Sequence, residues 1–283
     1  MLSRLKREHK LAAELGPLQI AYRECPVLGP KPIKFTHSGK LDSKLFAQVQ
    51  FSLNNLGQNL GTNLVSMDKH LLPEGAVWKS KFQKMLNQSL HQALNRSGRL
   101  IYSPVCNVNL HLDRLLLSDA EQSSEKATMN FASNNRLQKD PALQSNVKQF
   151  IVDCLHKSLN DTPSWNIMEP VMRIEIFVPR EFAGNISIGK FLSELSHRNA
   201  EIISVDGPGA ADTKEHEDDH QIVAEAPLSS LKGFSSAIRA LSHGIADLHI
   251  QVTDYRPVSI ATIEAGHHPD KELMHRLKMT HII

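Results

Sequence analysis

From Val171 to Val178 the chain alternates apolar and polar positions, with Ile174, Ile176 and Val178 on one face, which predicts a strand. Pro179 and Gly184 break that pattern, and Ile188, Phe191, Leu192 and Leu195 then recur at helical spacing. Glu201–Val205 predicts a second strand, and Ile222–Pro227 a third that ends on a proline with no amide to donate. Phe234, Ala237, Ile238 and Leu241 mark a second helix, after which Leu248, Ile250 and Val252 alternate up to Tyr255. The order βαββαβ predicts a ferredoxin-like domain of the α+β class.

Two helices are also legible upstream. Trp78, Phe82, Met85, Leu86, Ala93 and Leu94 follow helical spacing, with Ser97-Gly98 as a stop. A later helix opens with Asp140 as N-cap and Pro141 at the first helical position, and aligns Leu143, Val147, Phe150, Ile151, Cys154 and Leu155 on one stripe. Both stripes predict helices that bury a face against a sheet, and none of these apolar positions is assigned a ligand.

Composition narrows the class. The 283 residues are 41% hydrophobic and 22% charged, as in a folded soluble protein, and no apolar run approaches the roughly 20 residues that span a bilayer. Cys25, Cys106 and Cys154 are widely spaced, odd in number and without metal-ligand spacing, which points to reduced packing thiols in an intracellular compartment. The net charge of +2 does not by itself predict a nucleic-acid partner. Local basic groups do offer phosphate contacts: Ser3 to Lys10, then Lys31, Lys34, Lys40 and Lys44, and His275-Arg276-Lys278.

Candidate chemistry is sparse. Gly39-Lys40 is followed by Leu41 and preceded by Lys34, Phe35 and Thr36, which is not a phosphate-cradling loop, so GTP hydrolysis is not expected on this chain. His216 and His220 have the spacing of a zinc-binding helix face but follow Gly207-Pro208-Gly209, and a solvated turn is the expectation there. His267-His268 reads as exposed tail, and Gly57, Gly61, Asn54, Asn55, Asn59 and Asn63 as a flexible loop. No metal site is assigned.

Several fixed spacings together resemble the elongation factor G family of translational GTPases. Glu169-Pro170-Val171-Met172, Ala226-Pro227-Leu228, Gly233-Phe234 and Ile238-Arg239-Ala240-Leu241-Ser242-His243-Gly244 resemble that family's last domain, with Gly233, Arg239, Ser242 and Gly244 as its signature positions. Gly244 suits the left-handed residue of a helix exit. Gly16-Pro17 to Glu24 resembles the handover from the third domain to the fourth. Leu100–Val105 and Cys106–Leu112 resemble the strand after the fourth domain's turn, with Arg99 where proline is usual.

The resemblance implies four segments: residues 1–20 as a remnant of the third domain, 21–165 as a βαβ-type fourth domain, 166–260 as the ferredoxin-like fifth, and 261–283 as a C-terminal tail. It implies a C-terminal half whose GTP and Mg²⁺ belong only to a full-length protein, so no cofactor is expected here. The implied partner is the ribosome.

Two loops at the tip of the fourth domain would carry the contacts. The family's glycine-rich first loop is replaced by Ser38-Gly39-Lys40-Leu41-Asp42-Ser43-Lys44-Leu45-Phe46, which leads into a strand from Gln48 to Leu53. The family's histidine-aspartate tip of the second loop has no equivalent between Asp113 and Leu137. Lys40, Ser43, Lys44 and Phe46 in the first loop, and Ser123, Ser124, Lys126 and Asn134 in the second, are therefore the expected contact residues. This erosion favours the mitochondrial branch of the family that works with ribosome recycling factor to split ribosomes, acting as a monomer in the matrix. The alternatives are an elongation translocase and a non-ribosomal interaction module.

Overall fold

The computed structural model describes residues 19–42, 45–57, 61–68, 71, 76–119, 129–130, 139–179, 188–206, 219–259 and 268–279. Two five-stranded sheets organise them. The first runs β2 (Ile33–Lys40), β3 (Leu45–Asn55), β5 (Val108–Asp119), β4 (Leu64–Met67), with β6 (Met129–Asn130) also on β5. β4 lies parallel to β5 and reaches it through α1 (Ala76–Leu94), a βαβ crossover. Odd positions of β3 face inward, so Val49, Phe51 and Leu53 are fully buried against Leu86, Leu90 and Leu94 of α1 and Val147, Ile151 and Leu155 of α2 (Pro141–Asn160). The start of α2 follows its sequence: the Asp140 carboxylate accepts the N–H of Ala142 at 2.9 Å and of Leu143 at 3.3 Å, with Pro141 in the first turn.

The second sheet has the order β10 (Asp247–Pro257), β7 (Trp165–Pro179), β9 (Asp219–Pro227), β8 (Glu201–Asp206), every pair antiparallel. That is the ferredoxin-like arrangement. Met172, Ile174, Ile176 and Val178 of β7 face α3 (Ile188–His197) and α4 (Phe234–Leu241), burying Phe191, Leu195, Phe234 and Ile238. At the exit of α4 the N–H of Gly244 bonds the Arg239 carbonyl at 2.9 Å and that of His243 bonds Ala240 at 3.5 Å. Both His243 (φ 53) and Gly244 (φ 83) are left-handed, so the cap's first left-handed position is His243 rather than the glycine that sequence singles out.

A junction ties the two sheets. β1 (Arg23–Pro26) pairs with the first residues of β7, Arg23 opposite Met168 and Pro26 opposite Trp165, so a segment from the head of the chain completes the second sheet. Between these strands and the first sheet lies Glu24, fully buried. Its carboxylate accepts four backbone amides: Arg99 at 2.6 Å, Leu100 at 2.5 Å, Ile101 at 3.0 Å and Ser103 at 2.8 Å. Segment 99–103 is therefore a cradle around a carboxylate and not the strand expected from Leu100; the strand begins at Val108. The reason is that a buried charge demands its full set of donors, and a ladder would have used those amides elsewhere.

Two further expectations fail at the same junction. The asparagine and glycine loop is pinned: Asn55 donates to Pro26 O at 3.0 Å, Asn63 donates to Val105 O at 2.7 Å, and Gly61 packs against the Tyr255 ring with no room for a Cβ. Residues 58–60 of that loop lie outside the described set. The tail contains α5 (Lys271–Met279), which buries Leu273 and Leu277 against Tyr22, Ile101, Ile167 and Val258. His268 is 6% exposed rather than solvated. Tyr22 donates its hydroxyl to Asp270 at 2.8 Å, and burial together with that carboxylate holds the phenol well above its ordinary range.

Candidate nucleic-acid interface

Because α1 and α2 cover one face of the first sheet, its other face is the open one among the described residues. The even positions point there: Lys34, Thr36, Ser38 and Lys40 of β2, all exposed, and Phe46, Gln48 and Gln50 of β3. Lys40 is the cross-strand partner of Phe46, and its ammonium lies 5.7 Å from the centre of that ring. Phe46 stays 36% exposed, an aromatic and a cation presented together to solvent. Arg114, opposite Gln50 on β5, adds a third exposed charge to the same face.

The two expected contact loops leave from one end of this sheet. Phe46 pairs with Ser118 near the end of β5, and Leu116 and Leu117 pair with Asn130 and Met129 of β6. The β2–β3 turn is held where it enters: Leu41 N–H bonds Leu45 O at 2.8 Å, and Leu45 N–H bonds the Asp42 carboxylate at 3.1 Å. Of the candidate contacts, Lys40 and Phe46 are therefore brought together. Ser43, Lys44, Ser123, Ser124, Lys126 and Asn134 lie outside the described residues.

Gly39 proves to have another reason for being glycine. It faces the helices, where a Cβ would stand 2.9 Å from the edge of the Phe150 ring, so a side chain there would require that ring under α2 to shift. The signature positions of the second sheet are mostly structural as well. Gly233 caps α4 with φ 76 and Ser242 is buried with its hydroxyl donating to Ile238 O at 2.8 Å, while Arg239 stands exposed.

Sequence reading missed one polar string on the open face. A bulge at Asp113 turns its carboxylate toward the Ser52 hydroxyl, and His111 beside it contacts Ser66 Oγ at 2.8 Å through Nδ1 and Asp68 Oδ1 at 3.2 Å through Nε2. The strand alternation that could have revealed it is interrupted by the bulge itself. With the His111 side chain 33% and the Asp68 side chain 43% exposed, the string is solvated. Among the described residues no group of three or more His, Cys, Asp or Glu is placed to hold a metal ion. The face that remains offers cations, amides and one aromatic ring, the chemistry that takes up phosphates and stacks bases.

Residues 166–265 match the family model described as Elongation factor G C-terminus. The chain is similar to Ribosome-releasing factor 2, mitochondrial, of Danio rerio, 23% identical over 90% of this chain and 29% of the relative. It is 27% identical to the protein of the same name from Drosophila erecta, over 88% of this chain and 30% of the relative. Elongation factor G of Thermotoga petrophila is 24% identical over 91% of this chain and 32% of the relative. The chain thus spans about a third of the length of the curated relatives it matches. A crystal structure of a protein from Thermus thermophilus aligns with 93% of this chain and 32% of that one, at a TM-score of 0.56 and 17% identity, which shows a shared fold.

Proposed function

From the match of residues 166–265 to the family model described as Elongation factor G C-terminus, we propose that this chain belongs to that family and is the ribosome-binding C-terminal part of a translational GTPase. The observation that carries the reading is the pairing of Lys40 with Phe46 at the end of the open sheet from which both contact loops leave. A cation beside an exposed ring suits an RNA backbone with accessible bases. Ser43, Lys44, Ser123, Ser124, Lys126 and Asn134 extend that contact. The buried Glu24 cradle, the β1–β7 pairing and the α5 packing make the two sheets one lever, so force delivered at the second sheet reaches the tip of the first.

Within that function we infer ribosome disassembly after termination, in concert with ribosome recycling factor, in the mitochondrial matrix. The similarity to proteins named Ribosome-releasing factor 2, mitochondrial, supports it. GTP and Mg²⁺ would be handled by another part of a longer protein, since Gly39-Lys40 lies inside β2 and not at a strand-to-helix phosphate loop. The chain acts as a monomer. A second reading, elongation translocase, has comparable support from similarity to Elongation factor G at 24% identity.

The test is sedimentation of the chain, and of a full-length counterpart, with mitochondrial ribosomes in the presence and absence of recycling factor and GTP. Subunit splitting by the full-length form supports recycling. Movement of tRNA without splitting selects the translocase reading. No ribosome association by either form overturns both and leaves a non-ribosomal interaction module.

A further inference from the structure

From residue 75 to residue 112 the chain contains no Asp or Glu, yet Lys79, Lys81, Lys84, Arg96 and Arg99 all fall there, in a protein whose net charge is only +2. This acid-free segment is α1, its exit turn, the Glu24 cradle and the start of β5. In the middle of the cradle stands Tyr102, with φ 57 and 78% of its surface exposed. A bulky residue rarely takes a left-handed backbone, and such strain persists only where the surroundings impose it. Here they do, because the amides of Ile101 and Ser103 on either side are both bound by the Glu24 carboxylate. The cradle thus fixes the backbone at Tyr102 and leaves the ring in solvent, its hydroxyl without a hydrogen-bond partner among the described residues.

Cations lie near Tyr102 along the chain, and α5 brings another to the carbonyl of its neighbour Ile101. The Arg99 guanidinium is held by the carbonyls of Asn160 at 3.1 Å and Thr162 at 3.2 Å, and Arg276 of α5 donates to the carbonyl of Ile101 at 2.5 Å. Arg96 is exposed just past the end of α1, as is Asp161 just past the end of α2. Glu24 adds no open negative charge, being fully buried and bound by four amides.

We propose that Tyr102 is a stacking platform for an unpaired RNA base, with Arg96, Arg99 and Arg276 drawing the flanking phosphates. An exposed ring on a fixed backbone is sequence-tolerant, because every base has a π-face, and arginines in the neighbouring segments supply the phosphate contacts. The platform lies toward the opposite end of the first sheet from Lys40 and Phe46: β5 alone is 12 residues long, roughly 40 Å at about 3.3 Å per residue. It rests on the reading of this chain as an RNA-binding protein, but on none of the residues that carry that reading.

The experiment measures fluorescence anisotropy of a labelled oligouridylate with the full 283-residue chain, for wild type, Tyr102→Gly, Tyr102→Phe and Lys40→Ala. Glycine removes the ring and accepts the left-handed backbone, so Tyr102→Gly keeps or raises the melting temperature. The expected result is an affinity loss of about tenfold for Tyr102→Gly and near wild-type binding for Tyr102→Phe. Loss with Tyr102→Gly but not with Lys40→Ala upholds the platform while removing support for the tip contact. Unchanged binding by Tyr102→Gly overturns the proposal even where Lys40→Ala is defective. The proposal is equally overturned if Tyr102→Gly binds the oligonucleotide normally but loses ribosome sedimentation, since the ring would then meet a protein, or if the wild type binds no RNA.

Discussion

The Glu24 carboxylate accepts the backbone N–H of Ser103 at 2.8 Å across 79 residues of chain, and the bond ties β1 of the second sheet to the segment that leads into β5 of the first. Glu24→Gln keeps the shape but turns an NH₂ group toward amide donors. A buried amide left facing donors costs on the order of 2–4 kcal/mol. Urea unfolding should show that loss, and hydrogen exchange should show the amides of Arg99, Leu100, Ile101 and Ser103 deprotected together. Retained protection of those four would refute the cradle.

Gly98 should be equally intolerant. A Cβ there would overlap the Ser103 carbonyl oxygen, which is backbone and cannot swing aside. Gly98→Ala is expected to cost about 3 kcal/mol by overpacking, whereas Gly29→Ala, with nothing within 4 Å, should be nearly neutral. The comparison of their thermal midpoints checks this.

At the tip, Lys40→Ala should weaken ribosome or RNA binding with little effect on folding, since the side chain is exposed. One lost phosphate contact lowers the slope of log K against log salt by about 1. Phe46→Ala should lower affinity at every salt concentration and leave the slope unchanged. Equal slopes for wild type and Lys40→Ala would remove the phosphate contact.

The three cysteines should be inert in the native state. Burial pushes the thiols of Cys25 and Cys154 up to about 11 and that of Cys106 up to about 12. At pH 8 roughly one molecule in a thousand or fewer carries a thiolate at any of these sites. Ellman's reagent should therefore titrate none of them until the chain is unfolded, when all three react.

Much of this architecture was legible because its elements repeat a simple period. The alternation of Ile174, Ile176 and Val178, the α2 stripe and the Asp140 cap depend on residues close in sequence, and each appears where the pattern puts it. What failed depends on distant partners. Nothing near Leu100 announces that its amide is claimed by Glu24 across 76 residues, and nothing near His268 announces Glu169. The candidate interface was readable in its residue types at Lys40 and Phe46, but only strand register makes them neighbours. Gly39 illustrates the opposite hazard: it reads as a loop glycine, yet it sits in β2 with the Phe150 ring 2.9 Å from where its Cβ would stand.

That same distant pairing sets a pH dependence. His268 Nε2 and Glu169 Oε2 stand 3.9 Å apart, both buried and neither with a hydrogen-bond partner, while Asp270 N–H occupies His268 Nδ1 at 3.2 Å. The separation falls within ion-pair range, yet burial favours the neutral form of each group: it pushes His268 below its ordinary value and Glu169 above its own. The signs differ. For His268 the unfolded chain takes up its proton first, so the stability it contributes is present above the ordinary value of 6.5 and is lost as pH falls below it. For Glu169 the contribution is present below the ordinary value of 4.5 and is lost as pH rises through the higher folded value. Urea midpoints from pH 5 to 8 should therefore fall less steeply on the acid side for His268→Gln than for wild type, and Glu169→Gln should gain relative to wild type toward pH 8. If the pair were instead a true ion pair, Glu169→Gln would lose stability at neutral pH, because it would leave the imidazolium buried and alone. The sign of that one difference decides between a neutral latch and a charged one at the joint of α5 with the two sheets.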